Sequence, residues 1–239
     1  MLGIIVTSYL PHYFLYHSEL LSKLNPTWFK PVFVTSYENH NFVKSLGEAV
    51  GPELYYLDTN PGKHDGTFHL ISNTIELYSE CDYVLHYHAD IFFKHGIDLI
   101  TKTYNKVKEN NYKIGGIPRH WLFNDNLKYI NNCSVPVNFD FTMIKYGLFK
   151  NIFNLENLNK YKELSIKNNH PACHFETNVY AAISMFDKEF NWDTDVYYTD
   201  SIKKLKDKFG DEPAYYNFYF EDSGVFHYDQ NALEKGSIK

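Results

Sequence analysis

The segment DYVLHYHADIFF (residues 82–93) sets two histidines and an aspartate at alternate positions in an otherwise apolar and aromatic run. Alternate side chains of a β-strand share a face. His86, His88 and Asp90 would then point one way, and Tyr87 and Ala89 the other. Carboxylate and imidazole together suit a divalent cation, and the mixture leans towards Mn2+ over Mg2+. Such a cation can neutralise charge on a phosphate. His86 also reads as a hydrogen-bonded core histidine. Three further positions carry chemistry of the same kind. Arg119 is the chain's single arginine, a planar bidentate donor, and Trp121 lies two residues on. Asn73 falls in a helical stretch although asparagine forms helices poorly, which favours a ligand-facing role. Asp65 belongs to the turn-rich NPGKHDG. HPACH (170–174) lacks partner cysteines at zinc spacing and reads as a loop.

The elements that must position these residues alternate along the first half. LGIIVT (2–7), PVFVTS (31–36), ELYYLD (53–58) and DYVLHYH (82–88) are short apolar runs with strand character. Between them lie helical patterns at 11–24, 40–50 and 67–80, and another follows at 96–110. Strand–helix alternation of this kind predicts a mostly parallel sheet built from βαβ units. The second half is less regular. Strands are expected in 113–121, 134–144, 214–220 and 224–228, and helices over 174–186 and 200–209. Ligands of open α/β sheets sit at the carboxyl ends of the strands, near a switch in strand order. That edge would carry Thr7, Ser8, Tyr9, Ser36, Asp58, His88, Ala89, Asp90 and Arg119.

Composition narrows the classes. A chain of 239 residues with 44% hydrophobic residues can bury a full core. The formal net charge is −6, and with dispersed lysines and one arginine this argues against nucleic acid as a partner. The three cysteines form no CxxC and cannot all pair, which fits reduced thiols and a cytoplasmic location. The N-terminus reads as a first buried strand and not as a signal peptide. No stretch approaches the roughly 20 apolar residues of a membrane span. The 21 tyrosines suit stacking on sugars.

The order GIIVTSY, then NPGKHDGTFHLISNTIELYSECDYVLHYHADIFF, resembles the nucleotide-sugar glycosyltransferases of the GT-A fold, of the small type found in bacteria and large DNA viruses. The likeness covers about residues 1–120 by element order and the rest more loosely. The family's Asp-x-Asp is here His88-Ala89-Asp90. The resemblance implies a single GT-A domain with a Rossmann-like, mostly parallel sheet: residues 1–120 for the nucleotide sugar, 121–239 for the acceptor. It implies a transferase of hexosyltransferase type that moves a sugar from a nucleoside-diphosphate donor, a UDP-sugar, to a glycan or other hydroxyl acceptor. Asp90, His88 and the late His227 would hold Mn2+ or Mg2+. Thr7, Ser8, Tyr9, Asp65, Asn73, His88, Ala89, Asp90, Arg119 and Trp121 would contact the donor, with Asp58 a further candidate. An inverting reaction needs a general base. Glu176, at the expected start of a helix, is the candidate, with Asp140 and Asp125 as competitors; a retaining reaction needs none.

Two other readings compete. His86-x-His88-x-Asp90 also resembles the HxHxD of metallo-β-lactamase-like hydrolases, although Ile91 stands where that pattern has a further histidine. A non-catalytic sugar-binding protein would use the tyrosine and tryptophan faces and would need neither Asp90 nor His227.

Overall fold

The computed structural model describes the chain except residues 9–10, 26, 37–39, 51–53, 59–61, 131–133, 169–173, 212–217 and 228–239. Its fold follows from strands that are apolar on both faces. All six residues of β1 (Leu2–Thr7) are buried, so a layer must cover each side. Leu2, Ile4 and Val6 enter one core with Phe14, Leu20 and Leu21 of α1 (Phe14–Leu21), Leu46 of α2 (His40–Val50) and Ile100 of α4 (Asp98–Glu109). Ile5 enters the other with Ile71 of α3 (Lys63–Ser72), Phe149 of α5 (Tyr146–Ile152), Tyr161 of α6 (Leu158–Lys167) and Val179 of α7 (Phe175–Phe186). Gly3 is required where it stands: a Cβ there would lie 2.2 Å from the ring of Tyr78.

The central sheet has seven strands in the order β3-β2-β1-β4-β7-β6-β8. They are β2 (Phe29–Thr35), β3 (Leu54–Tyr56), β4 (Tyr83–His88), β6 (Ile114–Pro118), β7 (Val137–Lys145) and β8 (Val196–Tyr198), with β1. Only β7 runs against its neighbours; the β1–β2, β1–β4, β2–β3 and β6–β8 pairs are parallel. The predicted mostly parallel sheet flanked by helices is therefore what forms. A smaller antiparallel sheet has the order β5-β10-β9, made of β5 (Ile91–Phe93), β10 (Val225–His227) and β9 (Phe218–Phe220). The last helix among the described residues, α8 (Ile202–Phe209), is capped by the Ser201 hydroxyl, which accepts from the Lys204 amide, and ends at Gly210 with φ +63°.

Several boundaries differ from expectation. The pattern over 67–80 predicts one helix, yet α3 ends at Ser72 and a 3-10 turn follows at Ile75–Tyr78. Asn73 donates its side-chain amide to the His69 carbonyl at 2.8 Å, and the Thr74 hydroxyl donates to the Ile71 carbonyl at 2.9 Å. Both side chains satisfy helical carbonyls and stop the helix. β5, β8, α5 and α6 are elements the sequence pattern does not announce. No helix among the described residues is long and apolar enough to cross a membrane.

Candidate active site

Strand order reverses at β1, which has β2 and β3 on one side and β4 on the other. A crevice opens at such a reversal, outside the carboxyl ends of the strands. Thr7 and His88 end β1 and β4 and are paired in register. One residue further on, the chain leaves the main sheet. Ala89 and Asp90 form a two-residue turn, and the chain then re-enters as β5 in the small sheet. Asp90 thus sits where the chain passes from one sheet to the other.

The alternation read from the sequence separates His86 and His88 by depth. His86 is fully buried, and both ring nitrogens are used. Nδ1–H donates to the Phe139 carbonyl at 3.0 Å, and Nε2 accepts from the Thr7 hydroxyl at 2.8 Å. Desolvation holds its pKa well below the ordinary value, with the charge of His88 acting the same way. This occupied, neutral imidazole cannot serve the HxHxD ligand set. The Phe139 carbonyl is available because β7 is irregular here. Register against β6 shifts between Gly116, opposite Thr142, and Ile117, opposite Asn138, so residues 139–141 have no partner on β6.

At the edge, the same antiparallel ladder brings Asp140 to His88. Tyr87 pairs with Phe141, and one step further His88 Nδ1 meets the Asp140 carboxylate at 3.0 Å. His227 arrives from β10, whose register with β5 sets it opposite Ile91. Its Nδ1 lies 3.6 Å from the other Asp140 oxygen, and its Nε2 lies 3.7 Å from Asp90 Oδ1. One carboxylate, Asp140, therefore faces the Nδ1 atoms of two imidazoles. Burial alone would raise the pKa of Asp140, but the charge of His227 and the hydrogen bond and charge of His88 outweigh it and hold the carboxyl well below its usual range. Burial would likewise lower the pKa of His88, yet the Asp140 hydrogen bond and charge, aided by Asp90, tip the balance upward.

Asp90 Oδ1 is buried and accepts no hydrogen bond. Buried carboxylate oxygens are normally paired or bound to a metal. With an imidazole nitrogen 3.7 Å away, the position fits a divalent cation held by Asp90 and His227. Among the described residues, no group of three or more His, Cys, Asp and Glu side chains could hold a metal ion. A cation here would thus take two protein ligands and fill its remaining positions from phosphate and water, the usual habit of Mg2+ in phosphate sites.

The other predicted site residues are scattered around this cluster. Ser8 follows β1 and donates its amide to the Val34 carbonyl at 3.2 Å. Tyr9 lies outside the described residues. Asp65, in the first turn of α3, is paired with Lys162 of α6 at 2.5 Å. Asn73 is exposed at the opposite end of α3, one helix length from Asp65. Asp58 and Asp125 are exposed. Arg119, just beyond β6, donates to the Ser134 hydroxyl at 2.7 Å, with its guanidinium 5.2 Å from the Trp121 ring. Glu176 stands in the first turn of α7. The Phe175 ring beside it packs on Phe139, the neighbour of Asp140, at 5.1 Å, so this helix begins close to the carboxyl edge. One residue with no sequence signal also belongs to the site: His17 of α1 donates Nε2–H to the Ala89 carbonyl at 2.9 Å.

Solved structures share this architecture. Galactosyltransferase LgtC, in complex with donor and acceptor sugar analogs, superposes with a TM-score of 0.55 at 11% identity, covering 96% of this chain and 88% of that one. The mannosyltransferase PcManGT from Pyrobaculum calidifontis, in complex with GDP-Man and Mn2+, gives 0.52 at 10% identity over 84% of this chain. That match spans 55% of the mannosyltransferase chain. The 4-diphosphocytidyl-2C-methyl-D-erythritol synthase from Anaerococcus prevotii gives 0.50 at 12% identity, covering 83% and 86%. No protein-family model matches the sequence, and no curated protein matches it significantly. The chain has the GT-A fold, in which glycosyltransferases such as LgtC are built.

Proposed function

We propose that the protein is a metal-assisted glycosyltransferase of hexosyltransferase type. It would move a sugar from a nucleoside-diphosphate donor, a UDP-sugar, to a hydroxyl of a glycan acceptor in the cytoplasm. The observation that carries this reading is the buried Asp90 Oδ1, which accepts no hydrogen bond and lies 3.7 Å from His227 Nε2, at the strand-order reversal of a GT-A fold. A lone carboxylate oxygen kept out of water is costly unless something of opposite charge completes it. A cation bridging to a diphosphate is what this fold's position and the donor set favour.

When bound, Mn2+ or Mg2+ would stabilise the charge that builds on the diphosphate as the glycosidic bond breaks. Asp90 and His227 would hold it. His88 gives its Nδ1–H to Asp140 and keeps Nε2 for the donor. Thr7, Ser8 and Tyr9, at the end of β1, would line the nucleoside, with Asp65 and Asn73 as outlying contacts. Arg119 and Trp121 would border the sugar and the acceptor. Residues 1–120 would bind the donor and 121–239 the acceptor. For an inverting reaction, Glu176 is favoured over Asp140 as base. The Asp140 carboxylate is committed to two imidazoles and held at low pKa, which makes it a weak proton acceptor.

The test is thermal stabilisation by UDP, GDP, CMP and dTDP, each with and without Mn2+, on wild type and Asp90→Ala. A ligand that binds the folded state alone raises the melting temperature. The expected result is a shift with UDP that needs Mn2+ and is lost in Asp90→Ala. A flat response to all four nucleotides would sink the transferase reading, and binding of sugar alone, unaffected by Asp90→Ala, would favour a lectin.

A further inference from the structure

We infer that His17 is a positioning residue that locks the Ala89–Asp90 peptide in place from beneath and so aims the Asp90 carboxylate. His17 lies on α1 and is fully buried. Its Nε2–H donates to the Ala89 carbonyl at 2.9 Å. A carbonyl can only accept, so Nε2 must carry the proton, and Nδ1 of the neutral ring accepts from the Tyr87 hydroxyl at 3.2 Å. Tyr87 is itself fully buried. The chain Tyr87 O–H to His17 to Ala89 C=O thus fixes one tautomer and one ring orientation.

The bond matters because of where Ala89 stands. Its amide donates to the Thr7 carbonyl at 3.0 Å, the last tie to the main sheet. Its carbonyl is the first polar group beyond that sheet, since Ile91 already pairs with His227 in the small one. The carbonyl shares its peptide plane with the nitrogen of Asp90. Held by His17, this plane resists rotation, and with Ile91 fixed in β5 on the other side of Asp90 the backbone that aims the carboxylate is restrained from both ends. Without His17, the turn has a Thr7 anchor at one end and the β5 ladder at the other, with a free plane between them. Catalytic geometry tolerates errors of only about 0.5 Å before function suffers. The ring is wedged against Tyr87 at 5.1 Å and Phe93 at 6.3 Å between centroids, so α1 and the small sheet both depend on it for placement.

This inference rests on the proposed metal and diphosphate role of Asp90 only for its consequence; the locking itself is testable without ligand. In the ligand-free wild type, nitrogen-detected NMR of the His17 ring should show the neutral Nε2–H tautomer at pH 7.5. An Nδ1–H tautomer would overturn the inference. Hydrogen exchange should then be compared between wild type, His17→Phe and His17→Gln. In His17→Phe, the Ala89 amide, which donates to the Thr7 carbonyl, should exchange at least tenfold faster, while those of β1 and β2 stay unchanged. His17→Gln, whose side-chain amide can donate to the same carbonyl, should restore most of the protection. Unchanged exchange at Ala89 in His17→Phe would overturn the inference, as would an equal rise across all strands. Titration of the folded variants with UDP and Mn2+ by calorimetry, well below their melting temperatures, separates the two claims. About tenfold weaker binding in His17→Phe, rescued in His17→Gln, supports both. Absence of binding in wild type with the exchange pattern intact removes the transferase reading and leaves the lock standing.

Discussion

His86 and His88 stand two residues apart on one strand, on the same side of the sheet, and their surroundings differ completely. The inner site is saturated: both His86 nitrogens have protein partners, and the Thr7 hydroxyl and Phe139 carbonyl have His86. The outer site is balanced but incomplete. His88 and His227 both turn Nδ1 to the Asp140 carboxylate, and Asp90 Oδ1 accepts no hydrogen bond. Buried hydroxyls of Thr103 and Tyr146 also lack a hydrogen-bond partner, so the Asp90 oxygen is set apart by its place at the strand-order reversal, 3.7 Å from His227 Nε2, and not by the missing bond in itself.

If this division is sound, the largest effect short of removing Asp90 itself should come from Asp140. Asp140→Ala removes the carboxylate that faces both Nδ1 atoms. The two imidazoles lose their orientation, and His227 Nε2 is no longer held towards Asp90. Loss of such outer partners typically costs about 10–100-fold in metal affinity or activity. Mn2+-dependent UDP binding should fall by that amount in Asp140→Ala and less in Asp140→Asn, which can still pair with one ring. Calorimetry on folded protein measures it. Equal affinity in all three proteins would show that the outer cluster is as structural as the inner one.

The two depths were not equally legible beforehand. β1, β2, α2 and β4 follow from apolar runs and helical spacing, and the structure places them within two residues of expectation. That His88 and Asp90 share a face follows from strand alternation; that His227 joins them is implied only by the resemblance to the GT-A glycosyltransferases. What could not be read was the register of the antiparallel β7, because register depends on partners far away in sequence. Asp140 therefore stood among possible bases and not as the partner of two histidines. β5 was hidden because Ile91–Phe93 continues the alternation of β4, and no glycine or proline marks the turn at Ala89–Asp90. α5 and α6 are rich in Asn and Lys, and tertiary packing of Phe149 and Tyr161, not propensity, makes them helices. His17 carried no signal, since its partner is a backbone carbonyl 72 residues away.

Acid should act first on the buried imidazoles. Desolvation lowers the pKa of His17 from 6.5 to about 4, against the opposing Ala89 hydrogen bond and Asp90 charge. The unfolded chain takes up this proton below pH 6.5, whereas the folded chain refuses it until about pH 4. Stability is thus fully present above pH 6.5 and falls between these two values, by about 3 kcal/mol for a shift of this size. His86, also held low by burial, adds loss of the same sign. Urea unfolding at pH 7.5, 6.0 and 4.5 should show the decline, and His17→Phe should flatten part of it. A profile unchanged by the substitution would mean that His17 is hydrated and not a closed part of the core.

The smallest of these effects is the sharpest check on the division by depth. His86→Phe leaves the Phe139 carbonyl and the Thr7 hydroxyl buried without partners, which costs about 2 kcal/mol. The melting temperature and urea midpoint should drop accordingly. The folded fraction should still bind UDP with Mn2+ at near wild-type affinity, because both His86 nitrogens are already engaged by Thr7 and Phe139 and neither is left to face a ligand. A variant that keeps its stability but loses nucleotide binding would reverse the assignment. It would make the inner histidine part of the site and reopen the reading in which His86, His88 and Asp90 act together on one cation.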